Sequence, residues 1–275
     1  MRMKITTFCL LLVSILFSCK KEDINYNIGS STAPYIPLLS KILVDNQAST
    51  EFLYTDSNVI RQEKSKLDLT VHHYNTSGQL VTSEYWANDD VLSSDASVSQ
   101  TALTQSVWVT LASGKKGGVI TYEYNDNGQL NKTTSTHPLL TCSEYSLFTY
   151  DGNGRISRQS TFWEDSPTGY IDYAYDSKGN LTSEILYKVP MSGDPVAISS
   201  IKYSFDGSPN PYKMNSKYPI PGIYTNINNV TKESYTLFLS AAQGSDKVIV
   251  TDNTYTYNTM GYPVSKNGNI TYVYE

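Results

Sequence analysis

Hydrophobic and polar positions alternate along most of this chain, and one short pattern comes round three times between Tyr122 and Leu181: YEYNDNGQL, FTYDGNGRI and YAYDSKGNL. Each copy has nine positions. An aromatic residue, any residue and a second aromatic residue come first, followed by Asn or Asp, two further turn residues, Gly, any residue, and finally Leu or Ile. An alternation with a period of two is typical of a half-buried β-strand, and Asn or Asp followed by Gly is typical of a tight turn. The pattern therefore predicts repeated β-hairpins.

The turn decides which residues face each other. In the copy around Tyr150, Asp151 can accept hydrogen bonds from backbone amides beyond it, and Gly154 can adopt a positive φ. We therefore expect a type I turn closed by a Gly bulge, which places Tyr150 opposite Ile156. The same count predicts three further pairs on the same face of the sheet: Tyr124 with Leu130, Tyr175 with Leu181, and Tyr74 with Leu80.

One face of the predicted sheet is apolar and rich in Tyr. Steps of two back from each turn keep that face apolar at Ile120, Tyr122, Phe148, Ile171 and Tyr173. A single hairpin is marginal in water, so repetition is what makes such units stable. Weaker copies of the pattern begin at Phe52, His72, Tyr203 and Tyr255. The first of these has Asn58 in place of Gly, and the copy at Tyr203 has a turn rebuilt with prolines.

These strands predict an all-β fold. We expect an antiparallel meander of about 15–17 strands in one large twisted sheet, rolled into an open or closed barrel. If a sheet of this size closed simply, its inside would be wide, and inward Tyr side chains and long loops would have to fill it. No convincing helical period follows residue 18.

The repeats resemble the YD repeats of Rhs and teneurin proteins, and Tyr150 to Ile156 is the copy most like them. The chain also resembles uncharacterised bacterial lipoproteins of a domain-of-unknown-function family described as porin-like, especially through SPNPYK (Ser208 to Lys213) and NNVTKE (Asn228 to Glu233). The resemblance covers residues 41–275 and its motifs are specific for the fold alone. Rhs proteins enclose a toxin with very many repeats, and this chain has too few for that role.

The first eighteen residues have the composition of a bacterial lipoprotein signal peptide. Arg2 and Lys4 precede an apolar stretch that ends in LFSC, which resembles a lipobox. Cys19 would then become the acylated N-terminus and anchor the protein to a membrane. The alternatives are an ordinary secretory signal with a chance Cys and an uncleaved membrane helix, for which the apolar run is short. The following KKED resembles a signal that sends some lipoproteins to the cell surface.

The sequence therefore predicts three segments: a signal peptide (1–18), an acylated Cys with a flexible tether (19–40), and a single β-hairpin-repeat domain (41–275). We expect the outer membrane of a Gram-negative bacterium as the location, with a surface-exposed and a periplasmic orientation as the two alternatives. A net charge of −5 argues against nucleic acid as a partner. Cys142 is the one Cys left after removal of Cys9 and acylation of Cys19, so no disulfide framework is expected.

Candidate ligand-binding residues are aromatic. Two polar segments interrupt the strands, Ala87 to Gln105 and Asp206 to Val230. Long loops on a regular scaffold are either functional or covers for a sheet edge or a barrel mouth. The rings in and beside these loops, or at regular intervals in the sheet, are either core residues or a platform that stacks sugars or grips a peptide. The candidates are Trp86, Trp108, Trp163, Tyr212, Tyr218 and Tyr224.

Catalytic and metal-binding patterns are weak. His72 and His73 are adjacent on a predicted strand and therefore point to opposite faces, which disfavours joint metal ligation. Asp151 to Gly154 resembles a fragment of a calcium loop, but turn chemistry explains it. Cys142 is most simply a small buried residue. We therefore expect no catalytic residues, no metal site, no cofactor and no enzymatic activity.

The leading interpretation is a membrane-anchored lipoprotein of the cell envelope, a binding or scaffold domain whose ligand is a glycan or another envelope protein. The alternatives are a component of an outer-membrane pore and, less favoured, a hydrolase of envelope polymers. A pore would need an outward apolar band about 25 Å tall, whereas the apolar face here is rich in Tyr and the mean hydropathy is −0.35.

Overall fold

The computed structural model describes residues 37–87, 116–137, 144–239 and 244–275. The predicted signal peptide, Cys19 and most of the tether lie outside these residues, as do Trp108 and Cys142. Ile36–Glu275 pack as one compact unit. Its described part contains seventeen strands in one antiparallel sheet and a single short helix, which confirms the predicted all-β meander.

The strands follow one another closely along the chain. The first nine are β1 (Leu39–Val44), β2 (Gln47–Tyr54), β3 (Ile60–Ser65), β4 (Asp68–Tyr74), β5 (Leu80–Ala87), β6 (Lys116–Tyr124), β7 (Leu130–Thr136), β8 (Glu144–Tyr150) and β9 (Ile156–Trp163). The next four are β10 (Ser166–Tyr175), β11 (Leu181–Lys188), β12 (Val196–Pro209) and, after helix α1 (Pro211–Met214), β13 (Asn228–Leu237). The last four are β14 (Lys247–Asp252), β15 (Tyr255–Tyr257), β16 (Pro263–Lys266) and β17 (Ile270–Tyr274).

Strand order follows chain order, with the two ends of the domain joined. Each strand from β1 to β13 pairs with the next, so that the first run ends at β14, and β15, β16 and β17 form a second run. β17 also pairs with β1, and the backbone amide of Leu38 donates to the carbonyl of Glu275 at 3.0 Å. The residue register stops at Asp252 in β14 and resumes at Tyr255 in β15. The sheet is therefore curled but not closed.

The predicted turn geometry is confirmed. Tyr150 lies opposite Ile156, and the register shifts by one residue between Thr149 and Tyr150, as a bulge requires. The Asp151 carboxylate accepts the backbone amides of Asn153 and Arg155, both at 2.9 Å. The other three predicted pairs, Tyr74 with Leu80, Tyr124 with Leu130 and Tyr175 with Leu181, also form. Asn58 has φ of 58° where the other copies use Gly, as its tolerance of the left-handed region predicts.

The core lies on one side of the sheet, which we name the inward face. Its larger cluster contains the predicted apolar residues together with the Leu or Ile that follows each turn: Leu80, Ile120, Tyr122, Leu130, Phe148, Ile156, Ile171, Tyr173 and Leu181. A second cluster forms where the ends of the domain meet, from Leu39, Phe52, Ile60 and Tyr272. We name the opposite side the outward face. His72 is buried and His73 is exposed, so the two rings point to opposite faces as predicted.

Two local predictions differ from the structure. The copy that begins at Tyr203 does not turn after Phe205, because β12 continues to Pro209 and helix α1 begins at Pro211. The side chain of Asn210 caps this helix by accepting the amide of Tyr212, and a Pro at the first position suits a helix start. The sequence pattern from Asp246 to Tyr257 predicts one strand. In the structure this strand is interrupted at Asn253 and Thr254, where the partner changes from β13 to β16.

Candidate functional site

Helix α1 and the residues that follow it up to β13, residues 211–227, fold onto the inward face of the sheet, and we name them the covering segment. Three of the candidate aromatic residues come together there: the Tyr212 and Tyr224 ring centroids are 5.7 Å apart, and those of Tyr218 and Tyr224 are 5.9 Å apart. Tyr212 also packs edge-on against Phe52, and Tyr218 packs against Tyr122, so the segment contacts both core clusters. The segment covers the apolar face of the sheet, whereas the sequence allows it a ligand-binding role or the role of a cover for a sheet edge or barrel mouth.

A chain of hydrogen bonds connects this segment to the sheet. The Tyr224 hydroxyl donates to the Glu63 carboxylate, whose other oxygen lies 2.9 Å from Nε2 of His72. Nδ1 of His72 is 2.9 Å from the hydroxyl of Ser83, which is 3.2 Å from the Tyr122 hydroxyl. Burial, and next the negative charge of Glu63, raise the pKa of Tyr224 well above its usual value. The phenol therefore stays protonated and acts as a donor that holds the segment in place.

The order Glu63, His72, Ser83 matches the order of groups in a serine hydrolase triad. Ser83 exposes 0% of its surface, so a substrate carbonyl cannot reach its hydroxyl in this structure. The three side chains lie on neighbouring strands, and His72 is directly opposite Ser83 in the β4–β5 register. They satisfy one another below the covering segment, as buried polar groups must. Their arrangement therefore explains the attachment of the segment.

The two described candidate Trp residues lie on opposite faces of the sheet. Trp86 is in register with Leu69 on the outward face, and the amine of Lys116 lies 5.4 Å from its ring centre. Trp163 is in register with Glu144 on the inward face. Glu144 is half-buried there, and this burial raises the pKa of its carboxyl group. The structure thus brings Tyr212, Tyr218 and Tyr224 together but keeps both Trp residues apart, and ligand binding by any of the six candidates stays a prediction.

Aromatic rings that the sequence did not single out as ligand-binding residues form a stack on the outward face of β7, β8 and β9. The rings of Tyr145 and Phe162 are parallel within 7°, with their centroids 4.9 Å apart. Since β7 and β9 flank β8, the amine of Lys132 lies against the other face of Tyr145, at 4.8 Å. We name Lys132, Tyr145 and Phe162 the first stack.

A second stack follows on the next strands. The rings of Tyr170 and Tyr187 have centroids 4.6 Å apart and an interplanar angle of 18°. The Arg158 guanidinium lies 4.0 Å from Tyr170 on its β9 side, and two of its three nitrogens donate to the Asp172 carboxylate, at 2.6 and 2.8 Å. Donation of these hydrogen bonds to Asp172 raises the pKa of Arg158, so the guanidinium stays charged. We name Arg158, Tyr170 and Tyr187 the second stack.

The position of these stacks depends on the bulges. The register after each turn bulge decides which residues of the strand point outward. In β9, Phe162 lies opposite Tyr145 and points outward, whereas Trp163 does not. The sequence shows that an aromatic pair recurs in this part of the repeat. Which member points outward follows only from the residue-by-residue count after the bulge at Tyr150.

No metal-ligand group is formed in the part of the chain that the structure describes: no three His, Cys, Asp or Glu residues come close enough together. Asp151, the residue of the calcium-like fragment, instead binds Arg155, with 2.7 Å between its carboxylate and a guanidinium nitrogen. Bonds from the backbone and side chain of Arg155 hold the pKa of Asp151 below its usual value. His137 Nδ1 lies 2.9 Å from the Gly117 carbonyl. Among the described helices, none is long and apolar enough to cross a membrane.

The chain was compared with known proteins. No family model matches it, and no curated protein does. Among solved structures, a porin-like protein from Bacteroides uniformis is 15% identical over 86% of this chain and 96% of its own, with a TM-score of 0.38. The Tc holotoxin pore of Photorhabdus luminescens is 14% identical, with a TM-score of 0.27, and TcdB2-TccC3 is 16% identical, with a TM-score of 0.29. Each alignment covers 80% of this chain, but 12% and 10% of those chains.

Proposed function

We propose that this chain is a non-enzymatic, membrane-anchored binding protein of the cell envelope, and that it binds a glycan on the outward face of β8 to β11. The observation that carries the proposal is the pair of stacks, in which Phe162 and Tyr187 are the terminal rings of two neighbouring rows. Both terminal rings are half-buried, so part of each remains open to solvent.

Such rows suit a sugar chain for a physical reason. Aromatic faces carry negative charge density and attract the weakly positive C–H groups of a sugar ring, in the same way that they attract cations. The Arg158 and Asp172 pair beside the second stack offers donors and acceptors for hydroxyl groups. The rings are already held in place by their stacking partners, so binding would order few side chains.

The remainder of the sheet supports a binding scaffold over a pore. Tyr212, Tyr218 and Tyr224 occupy the inward face, where a channel would need water. The outward face carries charge pairs such as Lys116 with Glu84, 2.6 Å apart. Charged side chains are costly against lipid. These features suit a sheet whose outward face is in contact with water and not with lipid.

Attachment to the outer membrane rests on the sequence. The LFSC motif would place an acylated Cys19 at the mature N-terminus, and the polar residues up to about Pro37 would hold the domain away from the bilayer. A domain held in this way at a bacterial surface would meet envelope polysaccharide. We therefore propose a surface glycan as the partner, with an envelope protein as the alternative outcome of the test.

The test is electrophoresis of the protein through native gels that contain capsular polysaccharide, lipopolysaccharide O-chain or soluble peptidoglycan fragments. We expect one polymer to retard the protein. Loss of one terminal ring, Phe162→Ala or Tyr187→Ala, should weaken the apparent affinity about tenfold, the equivalent of about 1.4 kcal/mol.

Leu53→Ala is the matched control, because Leu53 is an exposed apolar residue on the distant strand β2. This variant should be retarded as strongly as the unaltered protein. Retardation by no polymer, or equal retardation of all the variants, would remove the glycan proposal, and capture of envelope proteins by the same surface would then be tested.

A further inference from the structure

Strand β14 is exposed on both of its faces. Three consecutive apolar residues of this strand have large exposed fractions: Val248 59%, Ile249 62% and Val250 47%. By the β13 register, Ile249 lies opposite Tyr235, while Val248 and Val250 lie opposite Thr236 and Ser234 on the other face. The strand therefore presents aliphatic side chains above and below the sheet.

The other edge of β14 carries no pairing register within the described residues. Its six residues pair with β13 without a bulge, from Lys247 opposite Leu237 to Asp252 opposite Lys232. Exposed edges in natural sheets are usually protected by Pro, bulges or charges directed into the edge. Here the four central residues are Val, Ile, Val and Thr, and the charged residues stand only at the two ends.

The strand next along the chain is already bound elsewhere. The amide of Asn253 donates to the Thr231 carbonyl at 2.7 Å, and the amide of Thr254 donates to the Asn267 side chain at 2.8 Å. These bonds direct β15 towards β16, with which Tyr255 and Thr256 are in register. The open side of β14 is therefore a consequence of the change of partner at residues 253–254.

The size of the open edge decides between a second copy and a peptide. A stable protein–protein interface buries roughly 800 Å² on each partner. Three partly exposed aliphatic side chains on a six-residue strand offer far less than this. A single peptide strand does not need so large an area, because its backbone hydrogen bonds supply affinity and its alternate side chains supply specificity.

We propose that the open edge of β14 is a strand-addition site for an extended segment of another polypeptide, about four to six residues long. Such a segment would pair its backbone with Val248, Ile249 and Val250. Its own alternate residues would be aliphatic or β-branched, because they would lie beside Ile249 on one face and beside Val248 and Val250 on the other. A segment with charged residues or Pro in its middle would not bind to this edge.

The test is selection of a phage-displayed library of random dodecapeptides on the immobilised full chain, followed by fluorescence anisotropy with one selected peptide. We expect enrichment of alternating β-branched sequences without central Pro. Ile249→Lys should weaken binding about tenfold or more, since it places an unpaired charge beside the added strand. Leu53→Lys, which changes another exposed aliphatic residue on β2, should bind like the unaltered chain.

Replacement of each central residue of the selected peptide by Pro, one at a time, tests the contribution of the backbone. Pro should abolish binding at alternate positions, where it removes an amide that would donate to β14. The proposal is overturned if no alternating sequence is enriched or if Ile249→Lys binds equally well. It is also overturned if light scattering shows that the chain is a dimer which Ile249→Lys converts to a monomer, since the edge would then be occupied by a second copy.

Discussion

The Tyr that begins each turn has a second role, which explains why the repeat uses Tyr and not Phe. The hydroxyl of Tyr150 donates to the Leu130 carbonyl at 2.7 Å, and that of Tyr175 donates to the Ile156 carbonyl at 2.7 Å. Each acceptor belongs to the residue that follows the turn of the hairpin before. The same bond recurs at Tyr54, Tyr74, Tyr124, Tyr255 and Tyr274 with acceptors in earlier strands. One hydroxyl therefore connects the hairpin to an earlier strand in five copies, whereas Tyr257, which begins the last turn, bonds the Asp206 carboxylate.

Tyr150→Phe removes one of these bonds and changes nothing else in shape. We expect a loss on the order of 1 kcal/mol in the free energy of unfolding, because the Leu130 carbonyl loses its donor in a partly buried position. Tyr145→Phe is the control, since its hydroxyl bonds Asp165 in an exposed position. Urea denaturation of both variants measures the difference, and equal losses would contradict a special role for Tyr150.

The two glycines of the turn after Tyr150 allow a matched comparison. Gly154 has φ of 74°, and an added Cβ would meet nothing closer than Gln129 at 3.9 Å, so its requirement is conformational. Gly154→Ala should cost about 1 kcal/mol of unfolding free energy. Gly152 needs no positive φ and has open space around it. Gly152→Ala should leave thermal stability unchanged or raise it slightly by restricting the unfolded chain.

Glu184 gives the fold a pH dependence of defined sign. Burial raises its pKa above the usual value of 4.5, the hydrogen bond from Tyr203 opposes this, and the charge of Glu233 adds to it. A carboxyl with a raised folded pKa contributes its full stability below its unfolded pKa and loses it as the pH rises through the folded pKa. Compared with Glu184→Gln, the unaltered protein should therefore lose stability as the pH rises above 4.5.

Thermal unfolding of both proteins across this pH range measures the effect. The difference in melting temperature should grow in favour of Glu184→Gln as the pH rises. A difference that stays constant with pH would show that the folded and unfolded pKa values of Glu184 are the same.

At the scale of elements, the hairpins could be predicted and the covering segment could not. The geometry of each turn is determined locally, because the Asp or Asn, the Gly and the bulge lie within a few residues of one another. The packing of Tyr218 against Tyr122 depends on contacts between residues far apart in the chain. The extension of β12 to Pro209 likewise depends on β13, where Asn228 is in register with Pro209. Local patterns carry no such information.

The covering segment depends on one bond that can be tested. Tyr224→Phe removes the donor to Glu63 and leaves the carboxylate with His72 alone. We expect the segment to detach more often and trypsin to cleave faster after Lys213 and Lys217, which lie within it. Tyr257→Phe is the control, because its hydroxyl bonds Asp206 in an exposed position outside the segment. Mass spectrometry of the digests measures the rate of cleavage after each Lys. Equal cleavage rates in both variants would contradict the anchoring role.

At the scale of the whole domain, the pairing of β1 with β17 makes the sheet depend on both of its ends. Ile42 is in register with Tyr272, and both belong to or pack on the second core cluster. The core of this region can therefore form only after the last residues of the chain are present. The opposite part of the sheet, between β14 and β15, has no such closure, which leaves β14 as an edge.

The behaviour of the domain in water separates the proposed scaffold from a pore. The outward face carries ion pairs, such as Arg158 with Asp172 at 2.6 Å, and half-exposed rings, whereas the inward face is covered by residues of the same chain. Residues 20–275 expressed without the signal should therefore give one monodisperse peak in detergent-free size-exclusion chromatography, with a β-rich circular dichroism spectrum. The same material with added detergent micelles should elute unchanged. Aggregation that detergent reverses would mean that the outward face requires lipid, and the two stacks would then be placed against the membrane and not against a glycan.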